Sequence, residues 1–284
     1  MGGGLGRFRQ RLTSVSSLLL FAATIACGRG PAPARLDLAT TTSVQHSGLL
    51  DALLPAFRDR TETDVRVHAA GSGRALEMLA DGVVDLALTH APDAEARALK
   101  AHPDWRYRKI AYNRFIVVGP PDDPAGTRQA PGAVEAFRRI AGARAPFVSR
   151  GDGSGTHERE QNLWTLAAVT PDPGHLIVSG RGMAQALRHA DERRAYTLSD
   201  EATFWQFERS LQLVALVEGD ERLLNTYALV YPESAAAAVF AEWLTSGEGR
   251  QRMAAFTVAG RTAFAVWPDR CPGTTPAATP CPLR

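Results

Sequence analysis

The chain has 284 residues, enough to bury a sizeable core in one large or two medium domains. Its 32 Lys and Arg nearly balance 30 Asp and Glu, a net charge of +2, and no basic tract gives a footing for nucleic acid. Hydrophobic residues make up 45%, the composition of an ordinary soluble globular protein.

Residues 1–26 read as a secretory signal. Arg7, Arg9 and Arg11 form a positive start, and Val15–Ile25 is an apolar run too short for an ordinary membrane span. Thr24-Ile25-Ala26-Cys27 resembles a lipobox, so Cys27 is the expected lipidation site, with a Gly- and Pro-rich tether over residues 27–35. The chain is thus expected to be exported, periplasmic or at the cell surface, and anchored by lipid.

Leu36–Ala39 predicts a strand, and Thr40-Thr41-Thr42-Ser43 follows it directly. Over Gly48–Arg58 the side chains of Leu49, Leu50, Leu53, Leu54 and Phe57 share one helical face. Val65–Ala69 alternates as a strand, followed by Gly71-Ser72-Gly73 and a helix through Asp81. The apolar run Val83–Leu88 predicts a buried parallel strand, and Phe115–Val118 another, closed by Gly119-Pro120-Pro121.

A second series begins with a helix over Ala133–Ala141 and a strand over Pro146–Ser149. Arg150-Gly151-Asp152-Gly153-Ser154-Gly155-Thr156 then opens a helix reaching about Ala168. Leu176–Val178 is a strand, and Ser179-Gly180-Arg181-Gly182 opens a helix through Ala190. Tyr196–Leu198, Leu213–Val217 and Tyr227–Val230 read as strands, Ser234–Thr245 and Glu248–Phe256 as helices. In the Pro-rich tail, Cys271 and Cys281 are expected to form a local disulfide, with two free thiols as the alternative.

Alternating strands and helices imply an α/β fold with mainly parallel sheets. In such folds ligands sit at the carboxyl ends of strands, beside helix N-termini. Four clusters of Ser, Thr and Gly occupy that register, two before Phe115 and two after, which suggests two lobes facing a cleft. Singly, each cluster would be a helix cap or a turn. Together they offer unpaired N–H groups, short hydroxyls and close backbone approach, which is what a small, fully ionised oxyanion needs on losing its hydration. Arg150 could add a forked, charged contact.

Other chemistries fit less well. His157-Glu158 lacks the second histidine of a zinc-protease motif, and the residue two before Ser154 is Asp152 rather than the glycine of a nucleophile elbow. No Walker sequence, dinucleotide fingerprint or cation-ligand spacing is present, and no cofactor is implied. An exported hydrolase using Ser154 and His157 remains the alternative of a different class.

The segments ATTTSVQHSGLLDALLPAF, VHAAGSGRALEML, GVVDLALTHAP, APFVSRGDGSGTHERE and AYTLSD resemble the tungstate-binding proteins of bacterial ABC transporters, along nearly the whole mature chain. The resemblance implies a type II periplasmic-binding-protein fold, a ligand cleft between two lobes, a permease partner and no catalysis. It implies oxyanion ligands at Thr41, Thr42, Ser43, Ser72, Arg150, Ser154 and Thr156. Gly73, Gly155, Gly182 and Met183 are weaker candidates, the last two carried by the position of the fourth cluster. Expected boundaries are 36–114 for lobe 1, 115–217 for lobe 2, a return to lobe 1 over 218–266, and a tail over 267–284. A monomer is expected. Molybdate has nearly the shape and charge of tungstate. Phosphate usually keeps a proton and wants an acceptor, which Asp152 could supply unless it pairs with Arg150 or caps the helix.

Overall fold

The computed structural model describes residues 1–3 and 34–276, so the expected signal, Cys27 and Cys281 lie outside the described residues. Cys271 is disulfide-bonded.

Strand β1 (Ala34–Thr41) leads through α1 (Thr42–His46) and α2 (Leu49–Thr61) to β2 (Thr63–Ala70), then through α3 (Ser72–Ala80) to β3 (Leu86–Thr89) and α4 (Pro92–Ala101). The long β4 (Arg106–Gly119) follows. Then come α5 (Ala133–Gly142), β5 (Phe147–Ser149), α6 (Gly155–Leu166), β6 (Leu176–Val178), α7 (Met183–Arg193), β7 (Tyr196–Asp200) and α8 (Glu201–Phe207). After β8 (Val214–Val217), β9 (Leu224–Tyr231) leads to α9 (Ala235–Thr245) and α10 (Glu248–Ala255).

The strands lie in the order β2-β1-β3-β9-β4-β7-β5-β6, with β8 also on β4. The outer pairs on each side are parallel, β1 with β2 and β3, and β5 with β6 and β7. The central strands β9 and β4 run antiparallel to their neighbours. Within β4 the partner changes: Arg106–Arg114 pair with β9, and Phe115–Val118 with β7. One strand therefore belongs to both halves of the fold.

Each half has its own core. In the first, α2 and α9 bury Leu53, Phe57, Phe240 and Trp243 against Leu36, Leu38 and Leu229 of the sheet, with Phe57 and Phe240 meeting edge-on at 4.9 Å. In the second, Phe137 of α5 and Trp164 of α6 close at 4.4 Å over Phe115 and Phe147. Each such side chain contributes roughly 1.5–3 kcal/mol by leaving water.

Four elements differ from the sequence expectation. β3 begins at Leu86, because Gly82 turns at φ +68° and Val83 N donates to Met78 O, which leaves Val83 exposed. Phe115–Val118 is only the end of β4, whose earlier Arg106, Arg108 and Lys109 obscure the apolar alternation. Helices α4 and α8 were not anticipated. Helix α2 ends on Glu62 in the left-handed region, at φ +54°.

Glu95 of α4 is fully buried and accepts from Thr89 Oγ1 (2.7 Å), Ala91 N (3.0 Å) and Tyr107 OH (2.9 Å). Burial outweighs these bonds and pushes its carboxyl up to about 7. The folded protein therefore keeps a proton that the unfolded chain has released. This contribution to stability is fully present below the ordinary glutamate range and is lost as the pH rises to about 7. Urea unfolding of Glu95→Gln should show a shallower fall in stability between about pH 5 and about pH 7 than the parent; identical slopes would contradict the assignment.

Candidate functional site

The carboxyl ends of β1, β2, β3 and β5 supply most of the site. Thr40 turns inward and spends its hydroxyl on Leu88 O at 3.3 Å. Thr41 caps α1: its Oγ1 accepts from Val44 N at 3.3 Å and lies 3.1 Å from Ser43 Oγ. Thr41 and Ser43 are buried, Thr42 half-buried. Beyond β2, the fully buried Ser72 opens α3, and its Oγ accepts from His90 N at 3.3 Å.

Arg150 follows β5 and is only 3% exposed. Its Nη2 donates to Asp152 Oδ2 at 2.5 Å, its Nη1 lies 3.6 Å from Met183 Sδ, and its backbone N donates to Glu160 Oε2 at 3.2 Å. Its Nε is buried without a hydrogen-bond partner in the protein, and so is Thr156 Oγ1. The loop can turn because Gly151 and Gly153 adopt φ +59° and +68°. Ser154 then caps α6, accepting from His157 N at 3.3 Å. Gly182 caps α7 and is followed by the buried Met183.

Four glycines show how closely these ends converge. A methyl group built on Gly71 would lie 3.5 Å from Asp152 O, and one on Gly73 3.7 Å from Gly153 O. One on Gly182 would lie 3.5 Å from Thr42 Oγ1, and one on Gly155 only 2.3 Å from His90 O. The second cluster thus faces the third, and the first faces the fourth. Arg150 Nη1, 3.6 Å from Met183 Sδ, ties the third cluster to the fourth, so the four clusters meet in one region.

Burial works to raise the Asp152 carboxyl, but the Arg150 guanidinium and the hydrogen bond from Ser154 N outweigh it and hold it below the usual range. Its two oxygens are taken by Ser154 N (3.1 Å) and Arg150 Nη2. His90 is fully buried and pushed down to about 4, so it is neutral. Asn225 fixes its tautomer. Asn225 Nδ2 donates to Asn113 Oδ1 (2.8 Å) and Tyr227 OH (2.9 Å), so Asn225 Oδ1 is the acceptor and His90 Nδ1 carries the proton, at 2.9 Å.

A PBP superfamily domain model matches residues 29–248. The chain is 40% identical over 219 residues to the tungstate-binding protein TupA of Peptoclostridium acidaminophilum, covering 74% of this chain and 77% of that one. Its fold superposes on the tungstate-binding protein TupA from Desulfovibrio alaskensis G20 with a TM-score of 0.71 at 33% identity, over 82% of this chain and 98% of that one. The tungstate ABC transporter structure from Geobacter sulfurreducens also gives 0.71, at 36% identity, over 80% of this chain and 100% of that one. The chain belongs to the tungstate-binding family of the PBP superfamily.

The two-lobed type II fold of this family agrees with two sheet halves joined through β4 and β9. It is a family of transport binding proteins, and the geometry around Ser154 is in keeping. His157 Nδ1 accepts from Gly153 N at 3.1 Å and its Nε2 lies 3.3 Å from Gln161, so the ring does not serve Ser154 Oγ as a base.

Sequence reasoning missed His90, Glu160, Asp200 and Asn225 in this tungstate-family site. His90 directly follows β3, so the strand-end rule that located the four clusters would have found it. It lacks a neighbouring Gly or Ser cluster to mark it. Asp200 ends β7, is fully buried, and has its carboxyl raised by burial against the hydrogen bonds from Thr203 and the charge of Arg150.

Proposed function

We propose that this chain captures tungstate outside the cytoplasm and delivers it to an ABC importer. The observation that carries the reading is Arg150, a buried cation whose Nε has no partner in the protein, placed where the four strand-end clusters converge. The hydroxyls of Ser72 and Ser154 already accept backbone N–H bonds, which leaves their protons to donate, and the Thr41–Ser43 hydroxyl pair spends one proton between its members and keeps the other. Together with Thr42 and Thr156, and N–H groups near Gly73, Gly155, Gly182 and Met183, they form a donor set for a fully ionised oxyanion. Asp152 has both oxygens engaged, which disfavours protonated phosphate. Molybdate meets the same donors.

The ligand lies between lobe 1 (36–114 and 218–266) and lobe 2 (115–217). Recognition involves no covalent step. The protein acts as a monomer, periplasmic or at the cell surface, anchored to the membrane by a lipid on Cys27, and hands its ligand to a membrane permease. No helix among the described residues is long and apolar enough to cross a membrane.

Calorimetric titration of the mature protein should give one tungstate per chain. Tungstate at a hundredfold over its Kd should stabilise the fold by about 2.7 kcal/mol. An unchanged melting temperature at saturating tungstate would sink the reading, and a larger rise with phosphate would transfer the site to that anion.

A further inference from the structure

Helix α4 begins without a cap of its own. Its N-cap is Ala91, which has no side chain to offer, and Pro92 follows. Glu95 takes Ala91 N, and the next two N–H groups, of Asp93 and Ala94, are satisfied from the other half of the molecule. Glu158 of α6 receives them, one on each carboxylate oxygen, both at 3.0 Å. One turn further along α6, Asn162 Nδ2 donates to Asp93 Oδ2 at 3.1 Å. The α4 face bearing Ala94 and Ala98 packs on the core of the first half, whereas Leu163 and Trp164 of α6 belong to the second. These contacts therefore exist only when the halves are together. They lie beside another close approach of the halves, Gly155 on His90, where an added Cβ would fall 2.3 Å from His90 O.

We propose that Glu158, seconded by Asn162, is a clasp that holds the two halves shut around the captured oxyanion. It is a positioning residue that touches no ligand. The proposal rests on the tungstate reading above. A carboxylate at a helix N-terminus completes two unpaired donors and meets the positive end of the dipole. Once the halves part, water takes over both roles. The clasp therefore slows release rather than speeding capture.

Stopped-flow kinetics with tungstate as the probe, beside thermal unfolding of the ligand-free protein, tests it. Glu158→Ala removes both charge-assisted contacts, which water replaces in part, and should raise the tungstate dissociation rate about tenfold, with the association rate and ligand-free melting temperature nearly unchanged. Glu158→Gln, which keeps one acceptor oxygen, should fall between the two, and Asn162→Ala should shift the same rate in the same direction. An unchanged dissociation rate in Glu158→Ala and Asn162→Ala overturns the clasp, as does a lower ligand-free melting temperature with wild-type dissociation. Failure of the wild-type protein to bind tungstate would count against the ligand assignment alone, and the same rates would then be read with molybdate or phosphate.

Discussion

Arg150→Ala is expected to weaken tungstate binding by about ten- to a hundredfold. The side chain is buried at the end of β5, where it is fixed by Asp152 and Met183 and leaves Nε uncommitted. A hydrogen bond from a charged donor contributes roughly 1.5–3 kcal/mol, which converts to that range of affinity. Arg150→Lys should recover part of it, because the charge remains but the planar fork is lost. Arg138→Ala is the control: that side chain on α5 is half exposed, with Glu135 and Ala167 O as its partners, and its loss should change binding little. If Arg150 serves only to hold the turn through Asp152, Arg150→Ala will melt earlier while its folded fraction binds tungstate normally. Calorimetry and thermal unfolding on the same preparation separate the two.

A comparable loss should follow from a single methyl group at Gly155. This residue is the first of α6 and has an ordinary negative-φ backbone, so alanine fits the helix and favours it. Its Cβ would nevertheless meet His90 O at 2.3 Å, with His90 Nδ1 at 2.6 Å behind it. His90 cannot yield readily, because Asn225 holds its ring and Ser72 Oγ holds its N–H. Overpacking of this kind costs about 1–3 kcal/mol, again ten- to a hundredfold in affinity. Gly155→Ala should thus bind tungstate poorly while the ligand-free protein melts no earlier than the parent. Gly73→Ala, whose Cβ would sit 3.7 Å from Gly153 O, should bind nearly as the parent does. Parent-like affinity in Gly155→Ala would show that the halves need not meet so closely.

Much of this arrangement was legible in the chain because strand-to-helix junctions carry local marks. Thr41–Ser43, Ser72, Ser154–Thr156 and Gly182 all announce themselves by small residues placed directly after an apolar strand. The alternating halves could be read the same way. What the sequence hides depends on distant partners. The first half of β4 carries charges on its outward face, and its pairing with β9 reaches across the intervening chain. Helix α4 breaks the local capping rule at Ala91 and is completed by Glu158, 65 residues on from Asp93. His90 looks like any surface histidine until Asn113 and Asn225 are brought beneath it.

The shared strand β4 also fixes an order of assembly. The second half is one unbroken stretch of chain between β4 and β8, so its partners are all available as soon as that stretch has been made. The first half is not. Its sheet runs β2-β1-β3-β9-β4, and the strand that joins β3 to β4 is β9, encoded beyond the whole of the second half. Until β9 emerges, β3 has an open edge and the core lacks Leu229, Phe240 and Trp243. The N-terminal segments are thus synthesised first and completed last, and in the interval they carry an unpaired strand edge of the kind that invites misassembly.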